Sequence, residues 1–471
     1  MRRKGFWKYG VYGVVFVWGM AWLLFFLLKY QYHFFYQEQN QLFLLSREYL
    51  LTGMLSTGWL SRQVGDSLTQ FYYYIGAGPV ILTGCLLVLG DLLRRLFQQW
   101  GLRSQWWSTL LALAVATVFA VFSLHHGYKL SNIIAAIGMA GLLFVAMLVA
   151  GKKRWRQVLA SVLAAIVGYV VFGLPQWGKL QKPNFYLEKQ LAADNEYYFG
   201  NYQKLFAMVE NDPEPTPEMT FFYNLARAER GELPDYLLRF SNTDLGTFHK
   251  IGPETPRLVI NNMNELYWVL GDMTFCERAA MMNNVFSADN RNVRMMKRLA
   301  ECSLVSRDTL AAQKYLRLLS KTMVYGPWAR RTMKQAEPRY VQKQAFVPQR
   351  DTINVTDNAH FIMVQLLDHN PANIAALDYM LCSDLLLKDM DSFKRDYDRY
   401  CAQHPRVKKL YQEALCIWLA GTQATEEQWK QYISMPDVAR RFAQYNQQRG
   451  NPQFSDTYWY YFDKAKPPKW E

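Results

Sequence analysis

Near its start the chain runs for 18 residues, Val11 to Leu28, without one charged side chain. A bilayer core of roughly 30 Å is crossed by about 20 apolar residues in α-helix, because helix pairs its backbone polar groups internally where lipid offers no partner. Met1-Arg-Arg-Lys precedes the run and no small-residue cleavage site follows, so it reads as a retained helix rather than a removed leader. Four more runs reach this length, giving five predicted spans at about residues 10–29, 72–93, 106–124, 130–150 and 157–175. Trp106, Trp107, Trp177 and the Tyr72-Tyr73-Tyr74 run sit at predicted ends, where amphipathic rings anchor at the membrane interface.

Charge divides the chain at the same place. Residues 1–178 carry 15 Lys/Arg against 4 Asp/Glu, whereas the remainder carries 38 against 35. Most of the net +14 therefore belongs to the membrane region, and the nearly neutral remainder has no basic stripe to bind nucleic acid. Lys and Arg set orientation. Arg2, Arg3, Lys4, Lys8, Arg94, Arg95, Arg103, Lys152, Lys153, Arg154 and Arg156 fall on one side of the predicted spans, and only Lys29, Arg47, Arg62 and Lys129 on the other. The positive-inside rule then makes the N-terminus cytoplasmic and, with an odd number of spans, everything after about residue 178 extracytoplasmic, in a cytoplasmic (inner) membrane with lipid as the first partner.

From Pro183 onward apolar residues recur at helical spacing, interrupted by turn signals at Gly200, NDPEP, RGELP, IGPETP, LGD, HNPAN and QHP. The predicted fold is all-α: a five-helix transmembrane region over 1–178, with an extracytoplasmic loop at 30–71, then a helical domain over 179–471 with an irregular insertion near 330–357. LARAERGELPDYL, YWVLGDMTFCERA, LAECSLVSRDTLAAQKYL and LLLKDMDSFKRDY each place a helix end, a turn and a new helix start at similar spacing. These units resemble tetratricopeptide repeats, with Tyr267, Leu270 and Gly271 at that family's aromatic, leucine and glycine positions. The resemblance implies an α-solenoid whose concave face binds a protein or peptide, and Tyr267, Trp268 and Tyr379 are the candidate binding residues. The spacing from Gly200 to Gly231 to Gly271 drifts, so the repeats are irregular.

Little else offers chemistry. No nucleotide loop, nucleophile motif or metal-ligand spacing stands out, so no cofactor and no metal is predicted; His33, His125 and His126 read as interfacial histidines. Cys276, Cys302, Cys382, Cys401 and Cys416 in the tail are odd in number and lack ligand spacing, so their pairing stays open. Asp351-Thr352-Ile353 resembles an acceptor for bacterial O-glycosylation, which marks Thr352 as a modification candidate; Asp308-Thr309-Leu310 and Asp66-Ser67-Leu68 fit the same loose pattern. In YHFFYQEQNQLFLL, Glu38 occupies the first extracytoplasmic loop. Multi-span glycosyltransferases that use polyprenyl-linked sugars keep an acidic residue there as general base or metal ligand. The competing reading is an interfacial carboxylate bonded to loop amides or Arg47.

The combination EQNQLFLLSREYLL, then LTQFYYYIGAG opening the second span, then the helical tail, resembles an uncharacterised bacterial family of multi-span membrane proteins with extracytoplasmic helical tails. It implies the architecture above and no established activity. The expected role is a platform for a protein or peptide partner in the cell envelope; the alternatives are a glycosyltransferase-like enzyme using Glu38 and a transporter subunit.

Overall fold

The computed structural model describes residues 2–150, 158, 161, 182–240, 255–287, 291–347, 358–402 and 405–467. Helices and turns account for all regular structure among them, as the helical periodicity requires. Two compact units divide the chain, and not at one break near residue 178. The first takes Met1–Ala192 with Ser287–Lys297 and Lys314–Lys334; the second takes Ala193–Phe286, Arg298–Gln313 and Gln335–Glu471.

The first unit opens with α1 (Arg2–Lys29), α2 (Tyr32–Gln39), α3 (Arg47–Leu51), α4 (Trp59–Thr69), α5 (Ala77–Gln99), α6 (Gln105–Phe122) and α7 (Leu130–Ala150). Its core joins Phe26 of α1 and Tyr30, just past that helix, to Phe34, Tyr72, Leu82, Leu86, Phe122, Tyr128 and Ile133. Small residues let the helices close up. A Cβ on Gly65 of α4 would stand 2.5 Å from the Ser131 Cα of α7, and one on Gly78 of α5 would stand 2.6 Å from the Phe34 ring.

Three described helices are long and apolar enough to cross a membrane: Gly10–Lys29, Gln105–Phe122 and Leu130–Leu148. This corrects the expected five. The span predicted over 72–93 is displaced: Gln70–Tyr73 wind as a 3-10 turn, Gly76 takes the left-handed region at φ +84°, and α5 starts only at Ala77. Glycine holds that φ without the Cβ penalty other residues incur, so the helix cannot extend backward through the tyrosines. Tyr72 is accordingly a buried core ring rather than an interface anchor. At the far end α5 runs on through Asp91, which holds Arg94 at 2.5 Å and Arg95 at 2.7 Å. The span predicted over 157–175 lies outside the described residues.

The second unit is built largely of antiparallel helix pairs, including Tyr202–Glu210 with Pro217–Glu229, Arg257–Leu270 with Met273–Phe286, and Ile374–Leu387 with Met390–Cys401. Local signals set their ends. Thr216 caps the second of these helices, with Pro217 in its first turn. Gly271, at φ +85°, ends Arg257–Leu270 where the LGD signal predicts a turn. Asn373 accepts from Ala376 N–H at the start of Ile374–Leu387 and also donates to the Leu270 carbonyl at 2.8 Å. Tyr458 and Trp459 are buried, held by Glu413 through Tyr458 N–H at 2.7 Å and Trp459 Nε1–H at 2.8 Å. The insertion expected near 330–357 is corrected in part. Gly326–Lys334 and Pro338–Lys343 are helices, because Pro338 supplies a helix start; residues 348–357, Thr352 among them, lie outside the described residues.

Candidate functional site

Glu38 is sealed in the first unit at 1% exposure. Its Oε2 accepts from the Tyr325 hydroxyl at 3.1 Å. Burial pushes the carboxyl well above the usual carboxylate range, against the Tyr325 hydrogen bond and the nearby Lys297 charge. The neighbouring amides work in the same seam. Gln39 Oε1 accepts from buried Arg294 at 2.9 Å, Asn40 Oδ1 from Asn292 at 3.1 Å, and the Gln41 carbonyl from Val293 N–H at 3.2 Å. Gln37 donates to the Tyr128 carbonyl at 3.2 Å and Gln41 to the Asp66 carbonyl at 3.1 Å. The polar run therefore ties the 32–45 stretch to its surroundings by hydrogen bonds reaching far along the chain, and Glu38 is bonded to Tyr325 rather than Arg47.

At the other end of α2, Glu188 accepts from the backbone N–H groups of Tyr32 and, at 3.3 Å, His33. It thus satisfies donors that a helix start leaves open. Burial raises the Glu188 carboxyl to about 7, with these backbone hydrogen bonds pulling the other way. Burial likewise lowers His33 to about 3, so His33 is a neutral core imidazole. His125 and His126 stack on each other, ring centroids 4.6 Å apart.

In the second unit a groove of about 590 Å³ is lined by Tyr202, Glu229, Arg230, Lys343, Phe346 and Arg406, among others. The Lys343 ammonium stands 4.9 Å from the Trp268 ring centre and 6.0 Å from that of Phe346. Desolvation brings it down to about 8, against the pull of Glu229. The Tyr202 hydroxyl donates to Glu229, and Arg406 is held between the Gly231 carbonyl at 2.7 Å and Asp378 at 2.6 Å. Of the binding residues expected from sequence, half-buried Trp268 borders this cationic region, and Arg298 lies 4.4 Å over its ring. Tyr267 and Tyr379 do not present a surface: they are 5% and 0% exposed, and Tyr267 stacks on Phe275. Helical spacing marks a face as apolar without saying whether that face points to the core.

One further cluster has no sequence signature. His360, Asp384 and Asp396, from three successive helices, bring their ligand-type atoms within 4.8 Å of one another. His360 Nε2 faces Asp396 Oδ2 at 3.2 Å and Nδ1 faces Asp384 Oδ1 at 3.7 Å. The hydrogen bond to Asp384 leads in raising His360, and desolvation raises Asp384 to about 6. Sequence reading expected no metal-ligand set because the three residues are far apart along the chain.

The described cysteines are free thiols, and Cys276 Sγ and Cys302 Sγ lie 3.4 Å apart in the second unit's interior. A family model described as a family of unknown function, DUF6057, matches residues 6–181 and 175–465. No curated protein and no solved structure matches. The matched stretches run through the long apolar helices and the later helices alike, and the chain belongs to this family of unknown function, DUF6057.

Proposed function

We propose that this chain is an integral protein of the bacterial inner membrane, N-terminus cytoplasmic, whose second unit is an extracytoplasmic tetratricopeptide-like platform for a protein or peptide partner. The observation that carries the reading is the groove between Tyr202, Glu229, Arg230, Lys343, Phe346 and Arg406. Its mix of cationic and aromatic side chains is of the kind that concentrates binding energy in protein interfaces. A cation with little hydration, such as Lys343 over Trp268, gains from an acidic group arriving on a partner. The burial of Glu38 and its bond to Tyr325 support a structural carboxyl over a general base, which needs access to the proton it removes.

The test is charge reversal in the full-length tagged protein, Arg230→Glu with Lys343→Glu, followed by crosslinking in cells and pull-down from detergent extracts. The expected result is a crosslinked partner that disappears in the double variant at unchanged protein level. A partner retained by the double variant, or a null phenotype for Glu38→Gln at normal abundance, overturns the platform reading.

A further inference from the structure

We propose that His360, Asp384 and Asp396 form a binding site for a divalent transition metal, zinc before others. The cluster combines one imidazole with two carboxylates on three consecutive helices, Ala359–His369, Ile374–Leu387 and Met390–Cys401, whose packing brings ligand-type atoms within 4.8 Å of one another. Ligands about 2.0–2.2 Å from a tetrahedral zinc ion stand roughly 3.3–3.5 Å from each other. Asp396 faces Nε2 at 3.2 Å, the spacing of two ligands on one ion, while Asp384 faces the other ring nitrogen, Nδ1, at 3.7 Å. An ion on one nitrogen therefore requires the partly exposed His360 ring to turn so that both carboxylates meet that nitrogen, within the 4.8 Å span of the cluster.

The second observation is an oxygen. The Asp384 side chain is 7% exposed, its Oδ1 turned to His360, and its Oδ2 is buried without a hydrogen-bond partner. A buried carboxylate oxygen left unpaired is costly unless something neutralises it, and a cation held by the same carboxyl does so. Asp396 is also buried, at 3% side-chain exposure, while His360 at 36% opens the cluster to solvent and gives an ion a way in. Arg395 holds Asp396 through Nε at 3.1 Å and Nη2 at 3.2 Å, and its Nη2 stands 3.4 Å from His360 Nε2. Its side chain is 60% exposed. An arriving ion displaces Nη2 toward solvent, and the Nε bond remains to orient Asp396 as an outer-sphere partner. The donor set selects the metal class: imidazole suits zinc and its transition-metal neighbours, whereas magnesium and calcium prefer oxygen alone. Three protein ligands leave at least one coordination position open.

The experiment uses the full chain in detergent, stripped with chelator and dialysed. Zinc chloride is titrated by calorimetry, and cobalt(II) is then added to read visible ligand-field bands from the site. The expected result is one zinc per chain, cobalt bands of a four- or five-coordinate nitrogen–oxygen site, and at least a tenfold weaker affinity in Asp384→Asn and in His360→Gln, with Arg395→Ala binding as tightly as wild type or tighter. The His360 side chain is 36% exposed, so His360→Gln keeps the comparison open if Asp384→Asn fails to fold by circular dichroism. No stoichiometric zinc binding by the wild type, binding undiminished in His360→Gln, or magnesium bound as tightly as zinc overturns the proposal.

Discussion

Glu38 and Tyr325, 287 positions apart in the chain, meet carboxyl to hydroxyl at 3.1 Å with both side chains buried. Each satisfies a group that would be costly to leave alone in the interior, and the partnership fixes what substitution at either end does.

Tyr325→Phe removes the donor and leaves the ring. Leaving a buried acceptor unsatisfied costs about 1–3 kcal/mol, and that loss is expected in chemical or thermal unfolding of the detergent-solubilised protein. Glu38→Gln stays within about 1 kcal/mol of wild type, because burial already favours the uncharged carboxyl and the amide carbonyl can accept the same hydrogen bond. Unfolding curves that put Glu38→Gln below Tyr325→Phe would contradict this.

Stability should fall with rising pH through Glu188. Its folded-state value, about 7, lies above the ordinary 4.5, so the folded chain binds this proton more tightly than the unfolded chain. The protein suffers no penalty from this group below pH 4.5, loses stability as pH climbs from 4.5 to 7, and carries a constant penalty above that. The full difference is on the order of 3 kcal/mol. Glu188→Gln cannot titrate, so wild type should lose ground against it between pH 4.5 and 7. A stability difference flat across that window would show that Glu188 keeps its ordinary affinity for protons.

Gly65→Ala sets a methyl carbon against the backbone of Ser131, where the nearest atom is 2.5 Å away. Backbone cannot step aside as a side-chain tip can, and overpacking of this kind costs about 1–3 kcal/mol. Gly138→Ala and Gly141→Ala meet nothing within 4 Å on the neighbouring helix α7. Midpoints of thermal unfolding should drop for the first variant and hold or rise for the other two.

Arg298→Met removes the cation shared by two buried acids, of which Glu301 keeps Arg339 at 3.5 Å and the Tyr340 hydroxyl at 3.0 Å. Arg298 reaches Glu265 at 2.5 Å and Glu301 at 3.3 Å with all three side chains nearly buried. Removing the cation from such a set costs about 3–5 kcal/mol, and folded protein should be recovered only at reduced yield. Combining Arg298→Met with Glu265→Gln and Glu301→Gln should restore much of the loss, as circular dichroism melts would register.

The sequence made the helical class, the apolar runs of α1, α6 and α7, and the turns at Gly200, Gly231 and Gly271 readable, because these follow from local spacing and from glycine's tolerance of positive φ. The start of α5 was not readable. A tyrosine run next to an apolar segment looks like an interface anchor until tertiary packing pulls Tyr72 into the core. The same limit hides the partners of Glu38, Gln39 and Asn40, which are supplied by Tyr325, Arg294 and Asn292 through folding alone. It also hides the grouping of His360, Asp384 and Asp396. Tyr267 and Tyr379 show the opposite error: an aromatic at a repeat position suggests a binding face, but these rings fill the interior.

The first compact unit draws in Ser287–Lys297 and Lys314–Lys334, and this sets an order for biogenesis. A ribosome completes α1 through α7 long before it makes Arg294 or Tyr325, so Glu38 and Gln39 wait for their partners until those residues emerge. A chain ended after α7 would leave Glu38, Gln39 and Asn40 without Tyr325, Arg294 and Asn292, while Gln37 and Gln41 keep the Tyr128 and Asp66 carbonyls.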